Sequence, residues 1–166
     1  MTLIIGGARS GKSRRAQQLA ETSGAKLIFV ATAEPFDDEM ATRIAHHRGD
    51  RGDRWVTVEA PVDLPGALRR HAAPDTVLLV DCITVWLGNL MHHGLDVAKA
   101  ADALLAALGQ TAGNTVVVTN EVGLAIVPET PLARQFRDGA GRINQRLAAV
   151  ADRVELVVAG LTIRLK

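Results

Sequence analysis

Cys82 is the one cysteine of the chain, and tyrosine is absent altogether. An intrachain disulfide is therefore impossible, and nothing implies an oxidising compartment; at the end of an apolar run, Cys82 reads as a small buried hydrophobe. Three Phe and two Trp are too few flat rings for a base-stacking platform, and a formal net charge of +1 offers little to a polyanion. A nucleic-acid partner is accordingly not expected. No apolar run nears the ~20 residues of a membrane span. The N-terminus enters "TLIIGG" with no charged region or small-residue cleavage site, so a cytoplasmic location is expected. What the chain has in quantity is hydrophobic residue, 48% against 22% charged over 166 positions. That suits one core and one domain spanning 1–166.

Short β-branched runs alternate with helical patterns from end to end. "TLIIG" (2–6), "KLIFVAT" (26–32), "RWVTVE" (54–59), "TVLLVD" (76–81), "TVVVT" (115–119) and "VELVVAG" (154–160) predict strands. Unbroken apolar runs such as "VLLV" and "VVV" suit interior strands of a parallel sheet covered on both faces. "LTIRLK" (161–166) follows Gly160 closely and predicts an antiparallel edge strand. Helices are predicted at 12–22, 37–48, 62–72, 84–92, 96–108 and 131–152. In the last, Leu132, Phe136, Ile143, Leu147 and Val150 form one apolar stripe, with Arg134, Asn144 and Arg146 mostly outside it. The expected fold is α/β, of the P-loop NTPase type: a mainly parallel sheet flanked by helices, with ligands at the carboxyl ends of its strands.

"GGARSGKS", comprising Gly6, Gly7, Ala8, Arg9, Ser10, Gly11, Lys12 and Ser13, has the G-x-x-x-x-G-K-[ST] spacing and stands between a strand and a helix. Glycines let successive backbone N–H groups curl around phosphate oxygens, and the helix behind adds the positive end of its dipole. Lys12 is placed to reach the β- and γ-phosphates and Ser13 to offer a hydroxyl to Mg²⁺. Asp81, closing "TVLLVD", is either the second metal-holding carboxylate or a cap for the helix that follows. Glu121 ends another strand and faces the same crevice. The N-K-x-D signature of switch GTPases is absent, which counts against a signalling role.

The stretch "ATRIAHHRGDR" (41–51) sets two histidines among Arg43, Arg48 and Arg51. On a 37–48 helix, Met40, Ile44 and His47 share an apolar face while His46 falls with Glu39, Thr42 and Arg43 on the polar face. By this geometry His47 is structural and His46 exposed, either merely solvated or available for chemistry. Metal binding fits poorly, because adjacent helical histidines do not easily clamp one ion. His92–His93 before Gly94 reads as helix-end cations.

"GGARSGKS", "ATAEPFDDEMATRIAHHRGDR", "VDCIT" and "TNEVGLAIVPETPLARQFRDGAGRINQRLAAVAD" occur in an order that resembles the bifunctional adenosylcobinamide kinase/adenosylcobinamide-phosphate guanylyltransferases of cobalamin biosynthesis. The resemblance spans essentially the whole chain. It implies a covalent GMP on the first histidine of the pair, here His46. It implies nucleotide contacts by Gly6 to Ser13, by Ala31, Thr32 and Ala33, by His47, Arg48, Gly49 and Asp50, by Glu59, and by Asp81 where members often carry Glu. GTP, ATP and Mg²⁺ are the implied ligands, adenosylcobinamide and adenosylcobinamide phosphate the implied substrates, and a homotrimer the implied assembly. Against this stand a plain small-molecule P-loop kinase with no histidine intermediate and a non-catalytic GTP-dependent binding protein.

Overall fold

The computed structural model describes residues 1–23, 25–34 and 52–166. The helix expected at 37–48, and with it His46, His47, Arg48, Gly49 and Asp50, lies outside the described residues. Elsewhere the elements follow the sequence patterns to within about two residues. Strands are β1 (Thr2–Gly6), β2 (Lys26–Ala31), β3 (Trp55–Glu59), β4 (Thr76–Asp81), β5 (Asn114–Asn120), β6 (Arg153–Val158) and β7 (Leu161–Arg164). Described helices are α1 (Lys12–Glu21), α2 (Leu64–His71), α3 (Ile83–His92), α4 (Val97–Gln110) and α5 (Pro131–Val150). Asp63, Asp96 and Thr130 cap α2, α4 and α5 by accepting from Gly66 N, Lys99 N and Ala133 N. Each such cap is worth about 1 kcal/mol.

The strands form one sheet in the order β3-β2-β4-β5-β1-β6-β7, parallel except for the final β6–β7 pair. The expected antiparallel edge is thus present, turned at Ala159 and Gly160, both at positive φ. Strand alternation splits the core in two. Ile4, Phe29, Leu79, Val116 and Val118 pack on one face with Ala16 and Ala20 of α1. Leu3, Val30, Val80 and Val117 pack on the other with α2, α3, α4 and α5. Burial of both faces explains why β4 and β5 are continuous apolar runs rather than alternating ones.

In α5 the predicted stripe is corrected. Ile143 and Leu147 are buried, but Leu132 and Val150 at the helix ends are exposed. Asn144, expected mostly outside the stripe, is buried. The inner face runs through Ala140, Ile143, Asn144 and Leu147, an i, i+3, i+4, i+7 set that admits one polar residue because partners wait for it. Cys82 is buried, as expected. No described helix is long and apolar enough to cross a membrane.

Candidate nucleotide site

The carboxyl ends of β3, β2, β4, β5 and β1 line up along one edge of the sheet. Register sets Ala31 beside both Glu59 and Asp81, and Gly6 beside Asn120. By alternation from the clusters above, Ala31, Glu59, Asp81, Asn120 and Gly6 all lie on the face that α1 covers. From β1 to β3 is four strand spacings, roughly 19 Å at ~4.8 Å each. The P-loop closes one end of this edge and Glu59, exposed on the outermost strand, marks the other.

Gly6 to Ser13 form the loop between β1 and α1. Ser10 N donates to Gly7 O at 3.3 Å, and Arg9 sits at φ 55°. Gly11, at φ 95°, is the N-cap of α1 and supplies no side chain, so the first-turn N–H groups of α1 are left for a ligand. Two glycines are sterically required. A Cβ on Gly6 would lie 2.5 Å from Ser10 Oγ and 2.6 Å from Val157 O, and one on Gly11 would be 3.3 Å from Gly160 Cα as well as strained in φ. Lys12 Nζ bends back onto Gly7 O at 3.1 Å, holding its charge over the loop. Ser13 is half-buried in the first turn of α1. The sequence did not signal the outside brace: Gly160 N, in the β6–β7 turn, donates to Ser10 O at 2.8 Å. Behind the loop, Arg15 makes a bidentate pair with fully buried Glu155 of β6, at 2.9 and 3.0 Å. That pair fixes α1 against the sheet.

The N-cap of α3 is Cys82, the residue after Asp81, with no side-chain cap bond. Thr32 pins this corner: its Oγ1 donates to Cys82 O and accepts from Cys82 N, each at 2.8 Å, and its own N–H reaches Asp81 O. Asn89 of α3 then holds Thr32 O at 2.7 Å. "ATA" and "VDC" are therefore one rigid corner. The Cys82 thiol is raised to about 11, chiefly by burial and next by the Asp81 carboxylate, while the Lys12 ammonium pulls it down. Glu121 N donates to Gly6 O at 3.2 Å, tying the exit of β5 to the P-loop, and its carboxylate receives Gly123 N. His93, read as a helix-end cation, meets Glu34 at 3.2 Å just past the "ATA" corner.

The hydroxyl of Ser13 and the carboxylate of Asp81 are hard oxygen donors of the kind Mg²⁺ takes. Among the described residues no group of three or more His, Cys, Asp or Glu could cage a metal.

The family described as cobinamide kinase / cobinamide phosphate guanyltransferase matches residues 2–165. The chain belongs to this family. It is 45% identical over 168 residues to the bifunctional adenosylcobalamin biosynthesis protein CobP of Pseudomonas aeruginosa, covering 99% of this chain and 96% of that one. To the proteins of the same description, CobU, from Escherichia coli K12 and Salmonella typhimurium LT2, it is 42% and 43% identical, covering all of this chain and 99% of each of theirs. Among solved structures, the RadB recombinase overlaps 93% of this chain and 72% of its own at 17% identity and a TM-score of 0.48. The activity expected from the resemblance, a bifunctional cobinamide kinase and cobinamide phosphate guanylyltransferase, is that of the family, and nucleotide substrates come with it.

Proposed function

We propose that the whole chain, as one domain, carries out two consecutive reactions. In the first, the terminal phosphoryl group of ATP or GTP passes to the aminopropanol hydroxyl of adenosylcobinamide. The new O–P bond forms as the β,γ-bridging P–O bond breaks, the hydroxyl proton is lost, and the nucleoside diphosphate departs. The loop N–H groups of Gly6 to Ser13, the Lys12 ammonium and the α1 dipole stabilise charge on the phosphates. Ser13 and Asp81 would hold Mg²⁺, which when bound neutralises further phosphate charge.

In the second reaction, neutral His46 attacks the α-phosphorus of GTP and expels pyrophosphate. A phosphate oxygen of adenosylcobinamide phosphate then displaces the histidine, giving adenosylcobinamide-GDP. Splitting one displacement between polyanions into two gives each step a better leaving group. Ala31 to Ala33, His47 to Asp50 and Glu59 are assigned to the nucleotide, with Arg48 steadying phosphate charge. The resemblance adds a homotrimer and a cytoplasmic setting to this reading.

The observation that carries the reading is the uncapped N-terminus of α1 under Lys12, with the Asp81 corner on the same face of the sheet. Incubation with GTP labelled at the α-phosphate is its test. Wild-type protein is expected to retain a label that mild acid removes and alkali does not, as a phosphoramidate behaves. His46→Ala should acquire none yet still phosphorylate adenosylcobinamide. Label retained from the γ-position instead, or acquired by His46→Ala, overturns the covalent mechanism.

A further inference from the structure

The loop from β5 to α5 leaves the sheet beside the P-loop. Its first residue, Glu121, donates its N–H to Gly6 O, and the Glu121 carboxylate turns back to accept from Gly123 N. At the far end Arg134 Nη1 donates to Pro128 O at 2.8 Å and to Glu129 O at 2.7 Å, and Thr130 caps α5. Val122, at the near foot, packs against the core. Both feet of the loop are thus fastened, and its crown is a held surface on a rigid scaffold.

The crown is apolar and turned to water. Leu124 is 90% exposed, Ile126 94% and Val127 63%, and none of the three belongs to either core cluster of the described residues. Aliphatic side chains gathered in water at the mouth of a binding edge mark a surface that is covered in use. Leu161 and Ile163, also exposed, stand instead on β7, the last strand of the sheet, whose open edge suits it to another chain. The crown contains no strand. What it can take is a rigid apolar face.

The acceptor of the first reaction has such a face. Its corrin ring is broad, rigid and studded with methyl groups, and the hydroxyl to be phosphorylated ends an arm of seven bonds, propionamide plus aminopropanol. Fully extended, that arm spans about 8 Å, little more than two residues of backbone. The ring must therefore rest about an arm's length from the terminal phosphate, which a P-loop lysine serves. Leu124 is three residues beyond Glu121, hence no more than about 11 Å from it. Glu121 in turn is bonded to Gly6, the first residue of the P-loop. Two independent tethers, one in the substrate and one in the chain, bring ring and crown within the same reach of the phosphate cradle.

We propose that Leu124, Ile126 and Val127 form the docking surface for the corrin ring of adenosylcobinamide, held in place by Arg134 at one foot of the loop and by the Glu121–Gly6 bond at the other. This deepens the kinase reading above and rests on its acceptor. The contact selects a large ring with an apolar face over a small alcohol, since free aminopropanol carries the same hydroxyl and gains nothing from the crown. The ring is remote from the reacting phosphorus, so the contact is equal in substrate and transition state. It lowers the corrinoid KM and leaves kcat alone.

The test compares wild type with Leu124→Ser/Ile126→Ser, Leu124→Met/Ile126→Met and Lys12→Ala. Both loop side chains stand almost wholly in water, so the melting temperature of the two loop variants should hold within about 2 °C. At saturating ATP the serine pair should raise the KM for adenosylcobinamide at least about tenfold, because less apolar area is covered, with kcat within about threefold. The nucleotide KM, and α-label uptake from GTP, which involves no corrinoid, should stay within about twofold. The methionine pair keeps the apolar area and should restore the wild-type KM. A corrinoid KM within about threefold of wild type for the serine pair overturns the proposal. So does a nucleotide KM that rises in parallel, the mark of a loop that only braces the P-loop. A serine pair that sediments as a smaller species than wild type assigns the crown to a second copy of the chain and overturns it too. Equilibrium dialysis of adenosylcobinamide keeps this inference separate from the kinase reading. Lys12→Ala should lose phosphorylation and still bind the corrinoid, whereas the serine pair should bind it more weakly. Equal binding by wild type and the serine pair sinks the docking surface alone; phosphorylation retained by Lys12→Ala sinks the P-loop reading alone.

Discussion

Replacing Glu155 by Gln removes one negative charge from the interior while keeping the side-chain shape. The Glu155 side chain is 0% exposed and accepts from Arg15 Nε and Nη2 at 2.9 and 3.0 Å; Arg153 pairs with the same carboxylate. Breaking a buried ion pair by removing one partner costs about 3–5 kcal/mol, because the other charge is left without its counter-ion. Here the side chains of Arg15 and Arg153 are 28% and 38% exposed, so water recovers part of that loss. The expectation is therefore the low end, about 3 kcal/mol. For a chain of this size that lowers the melting temperature by roughly 6–12 °C. The hydrogen bond from Arg15 is the main reason the Glu155 carboxyl sits below the usual carboxylate range, with the charges of Arg15 and Arg153 adding to it against the cost of burial. A depressed folded-state pKa gives stability that is present above the unfolded value of about 4.3 and disappears as pH falls through the folded one. Circular-dichroism melts of wild type and Glu155→Gln should show the full gap at pH 7, closing below about pH 4. A gap under about 2 °C at neutral pH, or one that widens on acidification, would refute the reasoning.

Asp81→Asn keeps shape and removes charge, so more Mg²⁺ should be needed for half-maximal activity while the melting temperature barely moves; an unchanged metal titration passes the role to Glu121. Thr32→Val leaves Cys82 N–H and C=O without their shared partner, and an unsatisfied buried polar group costs about 1–3 kcal/mol. Urea unfolding should register that loss, and the metal requirement should rise with it because the Asp81 corner is no longer pinned. The Cys82 thiol, raised to about 11, should resist alkylation in the native state at pH 8 and react once unfolded in urea. Rapid native labelling at pH 8 would contradict its burial.

Periodicity, turn residues and one motif determined by themselves that this chain is an α/β protein with a phosphate-binding loop at Gly6–Ser13. Those signals are local: a strand, a glycine loop and a helix are adjacent in the sequence, and a P-loop is made of nothing else. The antiparallel last strand was legible for the same reason, since "LTIRLK" follows Gly160 at once and leaves room only for a tight turn. The stripe of α5 was only partly legible. Helical spacing cannot tell that Leu132 and Val150 overhang the sheet, nor that Asn144 turns inward, because that depends on which strand ends lie opposite. Strand order was beyond the sequence altogether. Apolar runs mark β4 and β5 as interior, but only the tertiary structure inserts β5 between the P-loop and Asp81 and so brings Asn120 to Gly6. Arg15 and Glu155 stand 140 positions apart, and Asn144 reaches back 24 positions to the Asn120 carbonyl. A polar side chain is drawn into the interior only where a partner meets it there, and the partner is chosen by the fold.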